Sequence, residues 1–151
     1  MVKNDFLGPA PALLTGLTRM IHSLLYIEDN PADRKLVEQI IARHPDVHLL
    51  TAVTGNSGIK IARESQPDVI LMDINLTDIS GFKALKILRS DSTTAHIPVI
   101  ALSANAMPLN IESGLEEGFF RYITKPIKIN EFMDALGVAL EFADGQSARS
   151  K

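Results

Sequence analysis

The chain has 151 residues, 46% of them hydrophobic and 22% charged, with a formal net charge of −3. That is the balance of one water-soluble domain with apolar surface enough for a sizeable core, and its slight acidity gives no reason to expect direct nucleic-acid binding. The absence of cysteine removes disulfide scaffolds, thiolate metal sites and cysteine nucleophiles together, and no apolar run is long enough for membrane insertion.

Residues 1–22 read as an N-terminal extension or linker. Gly8-Pro9-Ala10-Pro11 is linker-like, and Leu13, Leu14, Leu17, Met20 and Ile21 recur at helical spacing, the pattern of a short amphipathic helix. A single lysine, Asp5 and two prolines make this start a poor signal peptide, so a cytoplasmic location is expected.

From Ser23 a regular alternation begins. Leu24 to Ile27 reads as a short buried strand, and Asn30-Pro31 opens a helix to about Arg43 with Leu36, Val37, Ile40 and Ile41 on one face. Val47 to Val53 is a second strand and Gly55 to Glu64 a second helix. Val69-Ile70-Leu71-Met72 runs unbroken into Asp73, the pattern of a strand buried on both faces that ends in a carboxylate. Ser80 to Ser90 is a third helix, Pro98 to Leu102 a fourth strand, Pro108 to Glu117 a weaker fourth helix and Phe119 to Ile123 a fifth strand. The last helix is expected over Asn130 to Phe142, stopping near Gly145, with 144–151 as a polar tail. Five strands alternating with five helices across short loops imply an α/β domain over residues 23–143, a doubly wound parallel sheet with helices on both faces.

Polar residues collect where the strands end: Glu28 and Asp29 after the first, Asp73 and Asn75 after the third, Ser103 after the fourth, Lys125 after the fifth. In a parallel sheet these carboxyl ends lie on one edge, where such folds place ligands. Taken singly, Asp29 or Asn30 caps a helix and Asp73 is a loop aspartate. Capping does not explain why acids gather on the central strands while a lysine arrives from a neighbour. Three negative charges against one leave an excess of two, and hard oxygen ligands without His or Cys favour Mg²⁺. A carboxylate at Asp73 can accept a phosphoryl group as nucleophile, with the cation, Lys125 and the Ser103 hydroxyl meeting its oxygens. None of the four histidines has acidic neighbours on a helix face, so surface roles are expected for them.

Glu28-Asp29, Asp73 with Asn75, Gly81, Ser103-Ala104, Tyr122 and Lys125-Pro126 together resemble the receiver domain of two-component response regulators, in order and spacing over residues 23–143. The resemblance implies a flavodoxin-like, CheY-like five-stranded sheet of order 2-1-3-4-5. It implies that Asp73 is phosphorylated by a phosphohistidine on a sensor histidine kinase or histidine phosphotransfer protein. Glu28, Asp29, Asp73 and the Asn75 carbonyl would hold Mg²⁺, Lys125 and Ser103 would bind the phosphoryl group, and Ser103 with Tyr122 would form a conformational switch. The Lys125-Pro126 peptide would be cis. Such a domain is not an enzyme in the ordinary sense, since it catalyses only its own phosphorylation and dephosphorylation.

The wording around Ser103-Ala104-Asn105-Ala106-Met107 and Tyr122 to Ile127 is similar to receivers attached to hybrid sensor kinases. A single-domain regulator, a phosphorelay intermediate and a receiver from a larger protein all stay open, as does a homodimer. Three rivals stand beside this reading. A Mg²⁺-dependent phosphohydrolase would want a carboxylate where Asn75 stands. An FMN carrier would want a phosphate loop where Glu28-Asp29 stands. A receiver-like scaffold that is never phosphorylated would not need Asp73 and Lys125. Asn75 and Asn105 flank the expected path of water that would remove the phosphate.

Overall fold

The computed structural model describes residues 21–104 and 108–149, with the side chains of 108–110 and 147–149 left aside. The amphipathic pattern of residues 1–20 and the loop residue Asn105 lie outside the described residues. Ten elements alternate: β1 (His22–Ile27), α1 (Pro31–Ile41), β2 (Val47–Ala52), α2 (Gly55–Ser65), β3 (Val69–Asp73), α3 (Gly81–Ser90), β4 (Val99–Ser103), α4 (Pro108–Glu117), β5 (Arg121–Thr124) and α5 (Ile129–Arg149). All strand pairs are parallel and the sheet order is β2-β1-β3-β4-β5, the expected arrangement.

The strand sequences explain the layering. Every residue of β3 and β4 is buried, which is why these segments carry unbroken apolar runs instead of an alternating pattern. Side chains still alternate in direction. Leu25, Ile27, Ile70 and Met72 pack with Ile59 and Ala62 of α2 and Leu85 and Leu88 of α3. Leu24, Tyr26, Val69 and Leu71 face the other way, onto Val37 and Ile40 of α1 and Phe132 and Leu136 of α5. The first three helices start on a local signal. Asn30 accepts the Asp33 N–H at 3.0 Å ahead of Pro31, Thr54 and Ser57 form a reciprocal capping box, and Ser80 accepts the Lys83 N–H at 3.1 Å.

Most boundaries shift by one or two residues from the sequence reading, and three of the differences have a tertiary cause. The fifth strand is Arg121–Thr124, because Gly118 turns at φ +114° and delivers Phe119 into the core against Phe82, ring centroids 5.5 Å apart. The last helix does not stop at Gly145 but continues to Arg149. Interior glycine is locally unfavourable, yet tertiary contacts hold this segment: Phe142 packs on Phe120 at 5.2 Å, and Asp144 meets His22. His22 therefore starts β1 with its Nε2 3.1 Å from both Asp144 carboxylate oxygens and a side chain only 14% exposed, instead of sitting in a surface connection.

The reversal of strand order between β1 and β3 opens a crevice at their carboxyl ends. Glu28 leaves β1 there and Asp73 closes β3. The chain returning from Asp73 is held closely. Gly81 N–H donates to the Ile74 carbonyl at 2.9 Å, and a Cβ on Gly81 would lie 2.5 Å from the Ile74 Cα. Asp78 in the same loop accepts the N–H groups of Gly55 and Asn56 at 2.8 and 2.9 Å, tying it to the start of α2. Because backbone and not a flexible side chain blocks the space, Gly81→Ala is expected to destabilise the domain by about 1–3 kcal/mol. The measurement is urea unfolding, in which the midpoint falls while the slope is unchanged.

Candidate functional site

The crevice collects polar groups from four strands and charge from three of them. Glu28 follows β1 and is fully buried, and Asp73 at the end of β3 is 3% exposed. Asp29 is half-buried beside them, and Glu28, Asp29 and Asp73 each offer a carboxylate oxygen within 4.8 Å of the others. Asn30 takes the capping role at α1, so Asp29 is not spent on it. Asn75 is exposed at the crevice rim, and its backbone N–H donates to Asp73 Oδ1 at 2.8 Å.

Lys125 follows β5. Its backbone N–H donates to the Ser103 carbonyl at 2.7 Å, extending the β4–β5 ladder by one residue, and the Lys125-Pro126 peptide is cis. The ammonium then reaches inward to three carboxylates: Asp33 Oδ2 at 2.9 Å, Glu28 Oε1 at 3.1 Å and Asp73 Oδ2 at 3.3 Å. Partial burial works against its charge, but Asp33, Asp73 and Glu28 outweigh it and hold the amine above its ordinary range. Ser103 ends β4 fully buried, one residue beyond the Asp73–Leu102 register pair.

Tyr122 lies one strand over. Its ring is half-buried against α4, where a Cβ on Gly114 would come within 2.6 Å of Cδ2. The hydroxyl is buried and has no hydrogen-bond partner among the described residues. The Gly114 gap in the apolar stripe of α4, which weakens that helix as a sequence signal, is the space the ring occupies.

Two members of the network were not legible as site residues. Asp33 in the first turn of α1 has a sufficient local reason to be acidic, since carboxylates stabilise helix N-termini. Only the fold brings it to Lys125, and it raises the count of carboxylates around the ammonium. Tyr26 reads as a core aromatic and is fully buried, but its hydroxyl donates to Glu28 Oε1 at 2.9 Å. Burial and the Glu28 charge both keep that phenol protonated. The Tyr-x-Glu spacing was the available signal, because residues two apart on a strand share a face.

Glu28 carries the electrostatic strain of the site. Burial first, then Asp73 facing it, push its carboxyl from 4.5 to about 7, against the Tyr26 hydroxyl and the Asn30 N–H, which donates to Oε2 at 3.2 Å. Oxygen-only donors that repel one another at this spacing suit a small hard dication, which would relieve that repulsion. The unfolded chain loses the Glu28 proton near its ordinary value while the folded, metal-free protein keeps it to about pH 7. Stability of the metal-free protein should therefore fall as pH rises from about 4.5 to about 7, by on the order of 2 kcal/mol. Urea titrations across that range check the slope, and Glu28→Gln should flatten it.

Comparison with known proteins follows the same geometry. The sequence profile of the response regulator receiver domain matches residues 24–137. The polar-differentiation response regulator DivK of Brucella ovis is 37% identical over 117 residues, covering 78% of this chain and 94% of DivK. Among solved structures, a signal receiver domain from Vibrio parahaemolyticus superposes with a TM-score of 0.80 at 21% identity, covering 87% of this chain and 98% of that one. The receiver domain of the sensor histidine kinase PA1611 from Pseudomonas aeruginosa, solved with a magnesium ion coordinated in its active-site cleft, gives 0.70 at 27% identity over 82% and 98% of the two chains. With its acidic crevice, its lysine and its strand order already pointing the same way, the chain belongs to the response regulator receiver family.

Proposed function

We propose that this protein is a phosphoacceptor in two-component signalling, taking a phosphoryl group onto Asp73. The observation that supports this best is the Lys125 ammonium, held 3.3 Å from Asp73 Oδ2 in a crevice whose other charged groups, among the described residues, are carboxylates. A lysine so placed has one evident use beyond neutralising acids, which is to meet an oxygen of an anionic group arriving at Asp73.

In the step itself an Asp73 carboxylate oxygen bonds to phosphorus while the bond from phosphorus to the donor nitrogen breaks, its electron pair returning to the imidazole of a phosphohistidine. The donor is a sensor histidine kinase or a histidine phosphotransfer protein. Asn75 N–H orients the Asp73 carboxylate, and Lys125 moves its charge onto a phosphoryl oxygen. The Ser103 hydroxyl binds a further oxygen. Glu28, Asp29 and Asp73, with the Asn75 carbonyl, would hold Mg²⁺, which when bound neutralises charge on the phosphoryl oxygens. The reaction belongs to a cytoplasmic protein, in keeping with the absence, among the described residues, of a helix long and apolar enough to cross a membrane.

The signal leaves through Ser103 and Tyr122. A Ser103 side chain drawn toward the phosphoryl group vacates space beside β5, and the Tyr122 ring and the α4 surface repack as a shift between two populated states. Gly114 sets how deeply that ring can sit. Gly114→Ala should displace the ring from its present seat. Tyr26 and Tyr122 are the only two tyrosines, so ring-proton NMR reads the change directly, with Tyr122 shifted and Tyr26 unmoved.

The central test is incubation with acetyl phosphate and Mg²⁺ followed by intact-mass measurement. The wild type should gain one phosphoryl group and Asp73→Asn none. A wild type that takes no phosphoryl group from this donor or from a phosphohistidine donor would favour a receiver-like scaffold instead.

A further inference from the structure

One of the three partners of Lys125 is not required by phosphoryl chemistry. The ammonium donates to Asp33 Oδ2 at 2.9 Å and to Asp73 Oδ2 at 3.3 Å, and Glu28 Oε1 lies 3.1 Å away as an ion-pair contact. Glu28 and Asp73 belong to the acidic group suited to a cation, whereas Asp33 stands outside it on the first turn of α1. Yet the shortest of the three contacts is to Asp33, at 2.9 Å. Its cap role is already filled, since Asn30 accepts the Asp33 backbone N–H and leaves the carboxylate free to reach across to the lysine.

We propose that Asp33 is the resting partner of Lys125, a positioning residue that holds the ammonium in the unphosphorylated protein and is displaced when a phosphoryl oxygen arrives. The inference rests on the phosphoacceptor reading above. With three carboxyl groups packed within 3.3 Å of the ammonium, a new anionic oxygen enters by displacing one of them. Glu28 is fully buried and Asp73 nearly so, and an oxygen that loses its contact with the ammonium there is left unsatisfied away from water. The Asp33 side chain is 31% exposed and is rehydrated when released. The Asp33 contact is therefore the one that yields. Asp33 competes with the phosphoryl group for the lysine, and so slows phosphorylation and sets how much free lysine the site presents.

A double-mutant cycle separates this from a general charge effect. Wild type, Asp33→Asn, Lys125→Met and the double variant are phosphorylated with acetyl phosphate, each at its own saturating Mg²⁺ concentration, and initial rates are read by intact mass. Thermal unfolding confirms that all four are folded. Asp33→Asn should raise the rate about two- to fivefold when Lys125 is present and leave it within about 1.5-fold when Lys125 is methionine. Equal acceleration in both backgrounds would mean that Asp33 acts only by repelling the anionic donor, and the inference falls. A rate for Asp33→Asn at or below wild type would mean that Asp33 aims the lysine productively, and again it falls. No adduct on wild type overturns the phosphoacceptor reading, and this inference with it.

Discussion

The structure depends on one electrostatic problem, the burial of the Glu28 and Asp73 carboxylates at the edge of an apolar sheet. Buried carboxylates without partners are among the most unfavourable groups a fold can contain. Here the Lys125 ammonium bridges them, the Tyr26 hydroxyl shares Glu28 Oε1 with it, the Asn30 and Asn75 N–H groups satisfy the other two oxygens, and the remaining strain appears as a Glu28 carboxyl that resists ionisation. A site left with excess negative charge and oxygen donors is receptive to a cation and, beside Lys125, to an anion as well. Folding and function thus use the same imbalance.

The scaffold holds that imbalance in place from several directions. Gly81 packs against the backbone of Ile74, and Asp78 ties the loop after Asp73 to α2, so the carboxylate sits on a braced segment. On the opposite flank, the Lys125 N–H bonded to the Ser103 carbonyl carries β5 register directly into the site. The less braced part is the ground between Ser103, Tyr122 and α4, where a glycine makes room for a ring whose hydroxyl has no partner among the described residues.

Much of this was readable from residue order. The unbroken runs of β3 and β4, the Asx-Pro start of α1 and the polar residues after each strand determined the class of fold, the edge that carries the site and the identity of Glu28, Asp29, Asp73 and Lys125 as its charged members. Those features are local, because burial on both faces and helix capping leave marks within a few residues. The same locality explains the misses. The end of α5 was misplaced at Gly145 because the contacts that sustain it, Phe142 on Phe120 and Asp144 on His22, span long stretches of chain.

Asp33 and Tyr26 mark the division most sharply. By sequence one is a helix-start acid and the other a core aromatic, and both descriptions remain true. Tertiary structure alone decided that the Asp33 carboxylate would lie 2.9 Å from a lysine 92 positions away and that the Tyr26 hydroxyl would face a buried glutamate. The sequence by itself determined which strand-end groups the crevice contains, since the carboxyl ends of strands in a parallel sheet share an edge. Which of those groups touch, and which other residues join them, follows from packing at ångström precision between helices and strands distant in the chain.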